Sequence, residues 1–317
     1  MAFATLIAGP TASGKSTLAI AIAERSGGSV VNADSMQVYA DLRVLSARPT
    51  PEEEARVPHA LFGFVPAGEE YSVGRYLADS APLIAEARTM GRAIVIAGGT
   101  GLYFRALTEG LMPSPPINPA VRVEWRQRAA AGEDLHAALR ACDPQRAAAL
   151  HPQDTPRILR AIELFHATGR TYTEWLCDNP GEPLLRPGEW RGIYLNPPRT
   201  MLHARIDARF EAMMGEGAPE EVRRLLAHQP PLPANLGVMK AHGVPHLARL
   251  LRGEMDRAEA VRLSQQDTRA YARRQVIFAR RYLSGKLWQW VESAEEVPKA
   301  FSSEVETGSR EENAIKQ

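Results

Sequence analysis

Gly9-Pro10-Thr11-Ala12-Ser13-Gly14-Lys15-Ser16 decides the fold. The stretch fits G-x-x-x-x-G-K-[ST] and lies between a short apolar run, Ala4 to Ala8, and a helical pattern beginning near Lys15. Each residue type has a physical reason to stand there. Glycines let backbone N–H groups curl around phosphate oxygens, a helix N-terminus adds positive potential, lysine neutralises oxygen charge, and serine ligates Mg²⁺. Residues 9 to 16 are therefore expected to hold a diphosphate, with Lys15 on its oxygens and Ser16 on the metal. Lysine occurs at only five positions (15, 240, 286, 299, 316) in a chain with 38 basic residues. A lysine at 15 in so arginine-rich a chain points to a need for a compact ammonium rather than a planar fork. The motif leaves open whether the phosphate belongs to a nucleotide.

Two more strand-and-turn units follow. Ser29 to Ala33 precedes Asp34, and Ala93 to Ala97 precedes Gly98-Gly99-Thr100-Gly101. Ligands of open α/β sheets bind beyond the carboxyl ends of the strands, so the three turns are expected to line one crevice. Asp34 there can take a proton from a nucleophile or hold a metal through water, and it can equally be an Asx turn or helix cap. Thr100 can donate to a phosphate or bridging oxygen, or simply close a tight strand-to-helix connection. No apolar strand ends in the acidic pair typical of hydrolytic motors, which argues against a motor ATPase.

The alternation of strand and helix over residues 1–112 predicts a P-loop NTPase-like α/β fold, a parallel sheet with helices on both faces. The break Pro113-Ser114-Pro115-Pro116 opens a stretch rich in Ala, Arg and Leu, so residues 113–188 read as an inserted all-helical domain. Within it Thr155 and Pro156 suggest an N-cap and first-turn proline for a helix from Arg157 to Ala167, ended by Thr168-Gly169. Gly192 to Leu195 reads as a return to the sheet, and residues 199–227 and 254–285 read as helices. The core is thus expected over 1–112 and 189–295, and the tail 296–317, which lacks an apolar period, is expected to be disordered.

With 44% apolar and 24% charged residues, the composition is that of a globular protein. No apolar run approaches the ~20 residues of a spanning helix and no basic leader precedes the first strand, so no membrane association and a cytoplasmic location are expected. Two cysteines, Cys142 and Cys177, are too few and too far apart for a disulfide framework or a C-x-x-C zinc site. The net charge of +1 hides a segregated distribution: eight basic residues against two acids between Arg257 and Lys286, and seven acids against three bases from Glu292 onward. In the basic stretch Arg269, Arg273 and Arg280 share one helical face and Tyr271, Phe278 and Tyr282 another. That face is either a contact surface for a phosphate backbone or a solvated face of a helix that packs its aromatics inward.

Taken together, these residues make the chain similar to the bacterial tRNA dimethylallyltransferase (tRNA isopentenyltransferase) family. The resemblance runs from the P-loop to about Trp290. It is carried by G-P-T-A-S-G-K-S at 9–16, N-A-D-S-M-Q-V-Y at 32–39, Pro58-His59, Tyr71-Ser72 and G-G-T-G-L-Y-F at 98–104. Asp143-Pro144, H-P-Q-D-T-P-R-I-L-R-A-I-E at 151–163 and T-R-A-Y-A-R-R-Q at 268–275 extend it. It implies transfer of a dimethylallyl group from dimethylallyl diphosphate to the exocyclic N6 amine of adenosine 37, beside the anticodon of tRNA, with release of diphosphate. It further implies Asp34 as general base, with Lys15, Thr100, and Ser16 with Mg²⁺ stabilising the departing diphosphate. By the same resemblance Asp34, Ser35, Met36, Gln37, Thr100, Arg122, Gln153, Asp154, Thr155, Pro156, Arg157, Gly243, Arg273, Arg274 and Gln275 meet an anticodon stem-loop, and the enzyme is expected to act as a monomer. The chain departs from the family pattern at Gln153, at Ile277-Phe278, at His242 and His246 around Gly243, and over Asp41 to Pro49. A P-loop nucleotide kinase, an isopentenyltransferase of free AMP and a non-catalytic RNA-binding module are the competing readings. The helical insert and basic helix favour tRNA over AMP, and the P-loop disfavours a mere binding module.

Overall fold

Ala4–Ala8 forms β1, and all five of its residues are buried. A continuous apolar run of this kind suits a parallel sheet covered on both faces. The computed structural model describes residues 2–113 and 115–297. Its first part runs β1, α1 (Lys15–Ser26), β2 (Ser29–Asn32), α2 (Pro51–Arg56), β3 (His59–Ala60), α3 (Val73–Met90), β4 (Ile94–Gly98) and α4 (Gly101–Glu109). Next come α5 (Pro119–Ala130), α6 (Leu135–Cys142), α7 (Pro144–Ala149), α8 (Thr155–Thr168) and α9 (Tyr172–Asp178). The chain then resumes with β5 (Trp190–Leu195), α10 (Arg199–Gly215), α11 (Ala218–Leu226), α12 (Val244–Leu251), α13 (Arg257–Tyr282) and β6 (Trp288–Val291).

The strands make one six-stranded sheet in the order β3-β2-β4-β1-β5-β6, with every pairing parallel. Ile7 pairs with Ala97 and Ala8 with Gly98, so the turns after β1 and β4 leave the same edge side by side. Alternation along the strands divides the core. Ile7, Val30 and Val95 pack under Leu18 and Ile22 of α1 on one face. On the other, Leu6, Val31 and Ile96 pack with Tyr76, Phe104 and Leu283 from α3, α4 and the end of α13. The expected P-loop-type α/β sheet with helices on both faces is what forms.

The chain divides into two compact units, one of residues up to Thr108 together with those from Leu184 on, the other Glu109–Pro183. The second has its own core, in which Trp125 of α5 meets Leu139 of α6 and Ile158 and Ile162 of α8. Asp143 is its buried organiser: it caps α7 through the Arg146 amide at 2.9 Å and accepts from the Thr173 amide and hydroxyl at 3.0 and 2.8 Å.

Several element bounds differ from the sequence reading. The helix expected over Arg157 to Ala167 begins at Thr155 with Asp154 as its N-cap, because Pro156 is tolerated inside the first turn. The expected single helix over 199–227 is two, separated where Gly217 takes φ 109°. The disordered tail expected over 296–317 falls, from residue 298 on, outside the described residues. No described helix is long and apolar enough to cross a membrane. Cys142 is half-buried, Cys177 is exposed, and both are free.

Candidate active site

The P-loop turns from β1 into α1 without a side-chain cap at the helix N-terminus. Its first-turn N–H groups therefore have no partner within the helix and face an anion site. Gly14 adopts φ 96°, and a Cβ there would meet nothing within 4 Å, so the cradle is open on the ligand side. Gly9 is different: a Cβ would stand 2.6 Å from the Leu195 carbonyl, so glycine is needed for the loop to leave the sheet. The Ser13 hydroxyl is buried without a hydrogen-bond partner. Lys15 folds back to donate to the Pro10 carbonyl at 2.8 Å. Burial pulls its ammonium down to about 8, with Asp34 opposing that shift and Arg209 adding to it.

Asn32 fixes the next turn. Its fully buried amide donates to the Asp34 and Leu61 carbonyls at 2.9 and 3.0 Å and accepts from the Asp34 amide at 2.7 Å. Asp34 then makes an Asx turn of its own, with Oδ1 accepting from the Met36 amide at 2.9 Å. Its other oxygen, Oδ2, lies on the Gly99 side, 3.0 Å from where a Cβ on Gly99 would stand. The two roles open in the sequence are thus compatible, since the turn occupies one oxygen and aims the other. Thr100 closes the third turn: its amide donates to the Ala33 carbonyl at 3.1 Å, and its hydroxyl accepts from the Ser35 amide at 2.9 Å. One lone-pair site of Thr100 is thereby taken by the protein, and its hydroxyl donates to the Ser35 hydroxyl at 3.3 Å.

Two cavities open at this edge of the sheet, both within the first unit. The larger, about 1020 Å³, contains Lys15 and Ser16 and runs past Arg43, Arg48, Arg205 and Arg209. The smaller, about 210 Å³, is walled by Met36, Leu45, Ile206, Phe210, Met213 and Tyr271. Asp34 lines both. The loop at 43–45, part of the wall, is held by buried Glu221, which accepts from the Arg43 and Val44 amides at 2.8 Å and from the Leu45 amide at 3.0 Å. His242 also lines the smaller cavity, with its ring 4.6 Å from that of Tyr271. Burial and the nearby Arg274 lower its pKa.

The remaining expected contacts separate into groups. Met36 lies in the wall of the smaller cavity and Ser35 beside Thr100. Gln37 spends both its amide hydrogens on the Ser46 and Ala47 carbonyls, each at 3.0 Å. Arg273 and Arg274 are exposed on α13. Arg269, grouped with them in the sequence, is instead ion-paired with Asp207 of α10. Gly243 is buried at φ 95°, where a Cβ would stand 2.9 Å from Phe210 and 3.0 Å from Leu45. Gln275, expected on the RNA surface, is buried with both ends of its amide bonded inside the protein. Arg122, Gln153, Asp154, Thr155, Pro156 and Arg157 all belong to the helical unit. There Arg122 lies 3.9 Å from Glu163, and Arg157 pairs with Asp154 at 3.1 Å.

Arg209, His242 and Tyr271 went unassigned in the sequence because they come from α10, from the turn before α12 and from α13. Only tertiary packing gathers them; Tyr271 falls within T-R-A-Y-A-R-R-Q at 268–275, but nothing local links that motif to Arg209 or His242.

Parallel sheet, phosphate cradle and strand-end carboxylate define a P-loop α/β enzyme. A family model described as IPP transferase matches residues 37–282, and another, isopentenyl transferase, matches residues 3–58. The chain belongs to the IPP transferase family. It is 52% identical over 295 residues to a tRNA dimethylallyltransferase of Nitrobacter hamburgensis, covering 92% of each chain. The crystal structure of a full-length tRNA isopentenylpyrophosphate transferase from Bacillus halodurans is similar with a TM-score of 0.68 at 27% identity, covering 99% of this chain and all of that one. A eukaryotic dimethylallyltransferase acting on tRNA has the same fold, with a TM-score of 0.79 at 23% identity over 99% of this chain and 78% of that one.

Proposed function

We propose that this enzyme transfers the dimethylallyl group of dimethylallyl diphosphate to the exocyclic N6 amine of adenosine 37 in the anticodon loop of tRNA. The observation that carries the reading is the position of Asp34 in the wall of both cavities. Diphosphate lies in the P-loop cleft, and the five-carbon group lies against the apolar wall of the smaller cavity. The reacting carbon is then beside the carboxylate. An adenine amine is a weak nucleophile because its lone pair is delocalised into the ring. The nitrogen attacks the allylic carbon, the carbon–oxygen bond breaks with its electron pair leaving on diphosphate, and the amine proton passes to Asp34 Oδ2. Lys15 and the first-turn amides of α1 stabilise the charge on the leaving group. The base must leave its stack to reach Asp34, which costs least in a single-stranded loop. Exposed Arg273 and Arg274 hold the RNA backbone, and the helical unit with Arg122 and residues 153–157 grips the stem-loop.

Mg²⁺ belongs to the same reading and suits the donors present. The Ser16 hydroxyl is exposed and makes no hydrogen bond among the described residues. Among those residues no group of three or more His, Cys, Asp or Glu forms a metal cage. Mg²⁺ ordinarily keeps its waters and takes remaining ligands from substrate phosphates and one or two protein oxygens. When bound, it neutralises charge on the diphosphate.

The test is incubation with an anticodon stem-loop RNA, dimethylallyl diphosphate and Mg²⁺, followed by mass spectrometry of the RNA. A single added prenyl group on the adenosine 3′ of the anticodon is expected. Prenylation of AMP but not RNA, or ADP formed from ATP, would replace the reading with one of its competitors.

A further inference from the structure

We infer that Gln275 is a positioning residue that sets the phosphate loop against the turn after β4. The inference rests on the reading that the loop holds diphosphate. Gln275 lies on α13 with only 8% of its surface exposed, between two exposed arginines on one side and the P-loop on the other. Its Oε1 accepts from the Thr11 amide at 3.0 Å, and its Nε2 donates to the Gly99 carbonyl at 2.8 Å. One planar group therefore ties together residues 264 and 176 positions away in the chain.

Both ends of this tie meet the site chemistry. Thr11 is inside the P-loop, and its N–H is committed to Gln275. The next residue, Ala12, takes φ 62°, a left-handed conformation that a non-glycine residue holds only under constraint. At the other end Gly99 precedes Thr100. A Cβ on Gly99 would stand 2.3 Å from Nε2 of Gln275 and 3.0 Å from Oδ2 of Asp34. The amide thus occupies the space that the absent side chain leaves and packs beside the proposed base. Both hydrogen-bond directions are needed, because Thr11 offers a donor and Gly99 an acceptor. Glutamine supplies one of each in a single plane. Methionine keeps the length and loses both bonds, whereas glutamate keeps the acceptor and, while ionised, loses the donor.

The experiment uses the full chain with Gln275→Met and Gln275→Glu. It measures inorganic pyrophosphate binding with Mg²⁺ by calorimetry, single-turnover prenyl transfer against dimethylallyl diphosphate concentration, and stem-loop RNA affinity. Both substitutions should weaken pyrophosphate binding and raise the half-saturating dimethylallyl diphosphate concentration by tenfold or more, with RNA affinity within twofold of wild type. In Gln275→Glu the defect should shrink, relative to wild type at each pH, as acidification from 8 to 6 protonates the new carboxyl and restores a donor to Gly99. A purely structural defect would not recover in that way. RNA affinity reduced tenfold with pyrophosphate binding intact would overturn the inference and return Gln275 to the RNA surface. If Gln275→Met does not fold, the pH series on Gln275→Glu decides alone, and the absence of recovery there counts against the brace. Failure of the wild-type protein itself to bind pyrophosphate would overturn the diphosphate reading beneath it.

Discussion

Asp34 accepts a hydrogen bond from the Met36 amide through Oδ1 at 2.9 Å, while its Oδ2 lies beside Gly99. Asparagine can keep the first contact but cannot accept the adenine proton as a carboxylate does. Asp34→Asn should therefore lower the single-turnover transfer rate by about 10²- to 10⁴-fold, the usual loss for a general base. Melting temperature and RNA affinity should stay near wild type. A rate within threefold of wild type would leave Asp34 as a turn residue only.

Lys15 gives a pH signature. Its ammonium is lowered by burial to about 8, and bound diphosphate, being anionic, favours the charged form and raises that value. Below pH 8 lysine is charged both free and bound, so affinity should not depend on this group. Above 8 the free enzyme is neutral there, binding takes up a proton, and affinity should decline by up to about tenfold per pH unit. Calorimetry of dimethylallyl diphosphate binding at pH 9 in two buffers of different ionisation enthalpy should register the uptake. Lys15→Arg, which stays charged throughout, should abolish it.

The adjacent glycines Gly98 and Gly99 separate folding from chemistry. A Cβ on Gly98 would stand 2.1 Å from the Ala33 backbone, which belongs to the sheet edge and cannot yield. Gly98→Ala should cost about 3 kcal/mol, the upper end of overpacking penalties, and show as a lowered melting temperature or insolubility. At Gly99 the obstacles are side chains, Gln275 and Asp34, that can be pushed aside. Gly99→Ala should fold and lose about 10²-fold in transfer rate, the scale of an ångström's misplacement of reacting groups.

The arginines of α13 should divide in the same manner. Arg273 and Arg274 are exposed, and each Ala substitution should lower the salt dependence of RNA binding by about 0.7 to 0.9 in logarithmic slope if it removes one phosphate contact. Arg269 is committed to Asp207 of α10, so Arg269→Ala should change that slope little. Filter binding between 50 and 200 mM salt distinguishes the two behaviours; equal slopes for all three proteins would leave the face merely solvated.

The parts of the fold legible in the sequence were those whose determinants are local. Ala4–Ala8 was readable to the residue, because five apolar or small residues before a glycine loop admit little else. β3 was not, since a two-residue strand carries no period. The burial of Gln275 was masked by its arginine neighbours, although the spacing Ala272, Gln275, Ala279 is that of one helical face, and all three are buried. Lys240 and Met213 could not be joined to the site from sequence, because nothing nearby in the chain refers to the cavity they line.

The chain leaves and re-enters the sheet-bearing unit at one place: the Leu185 amide donates to the Leu107 carbonyl at 2.9 Å, on either side of the helical stretch Glu109–Pro183. An excursion whose two ends already touch behaves as a graft. Its removal asks the remaining chain to close only a short turn, and closure entropy changes slowly with loop length. Selection or an engineer can therefore lengthen, exchange or delete the helical stretch without re-registering a strand. The sheet with its phosphate loop and the helical graft are then free to evolve at different rates.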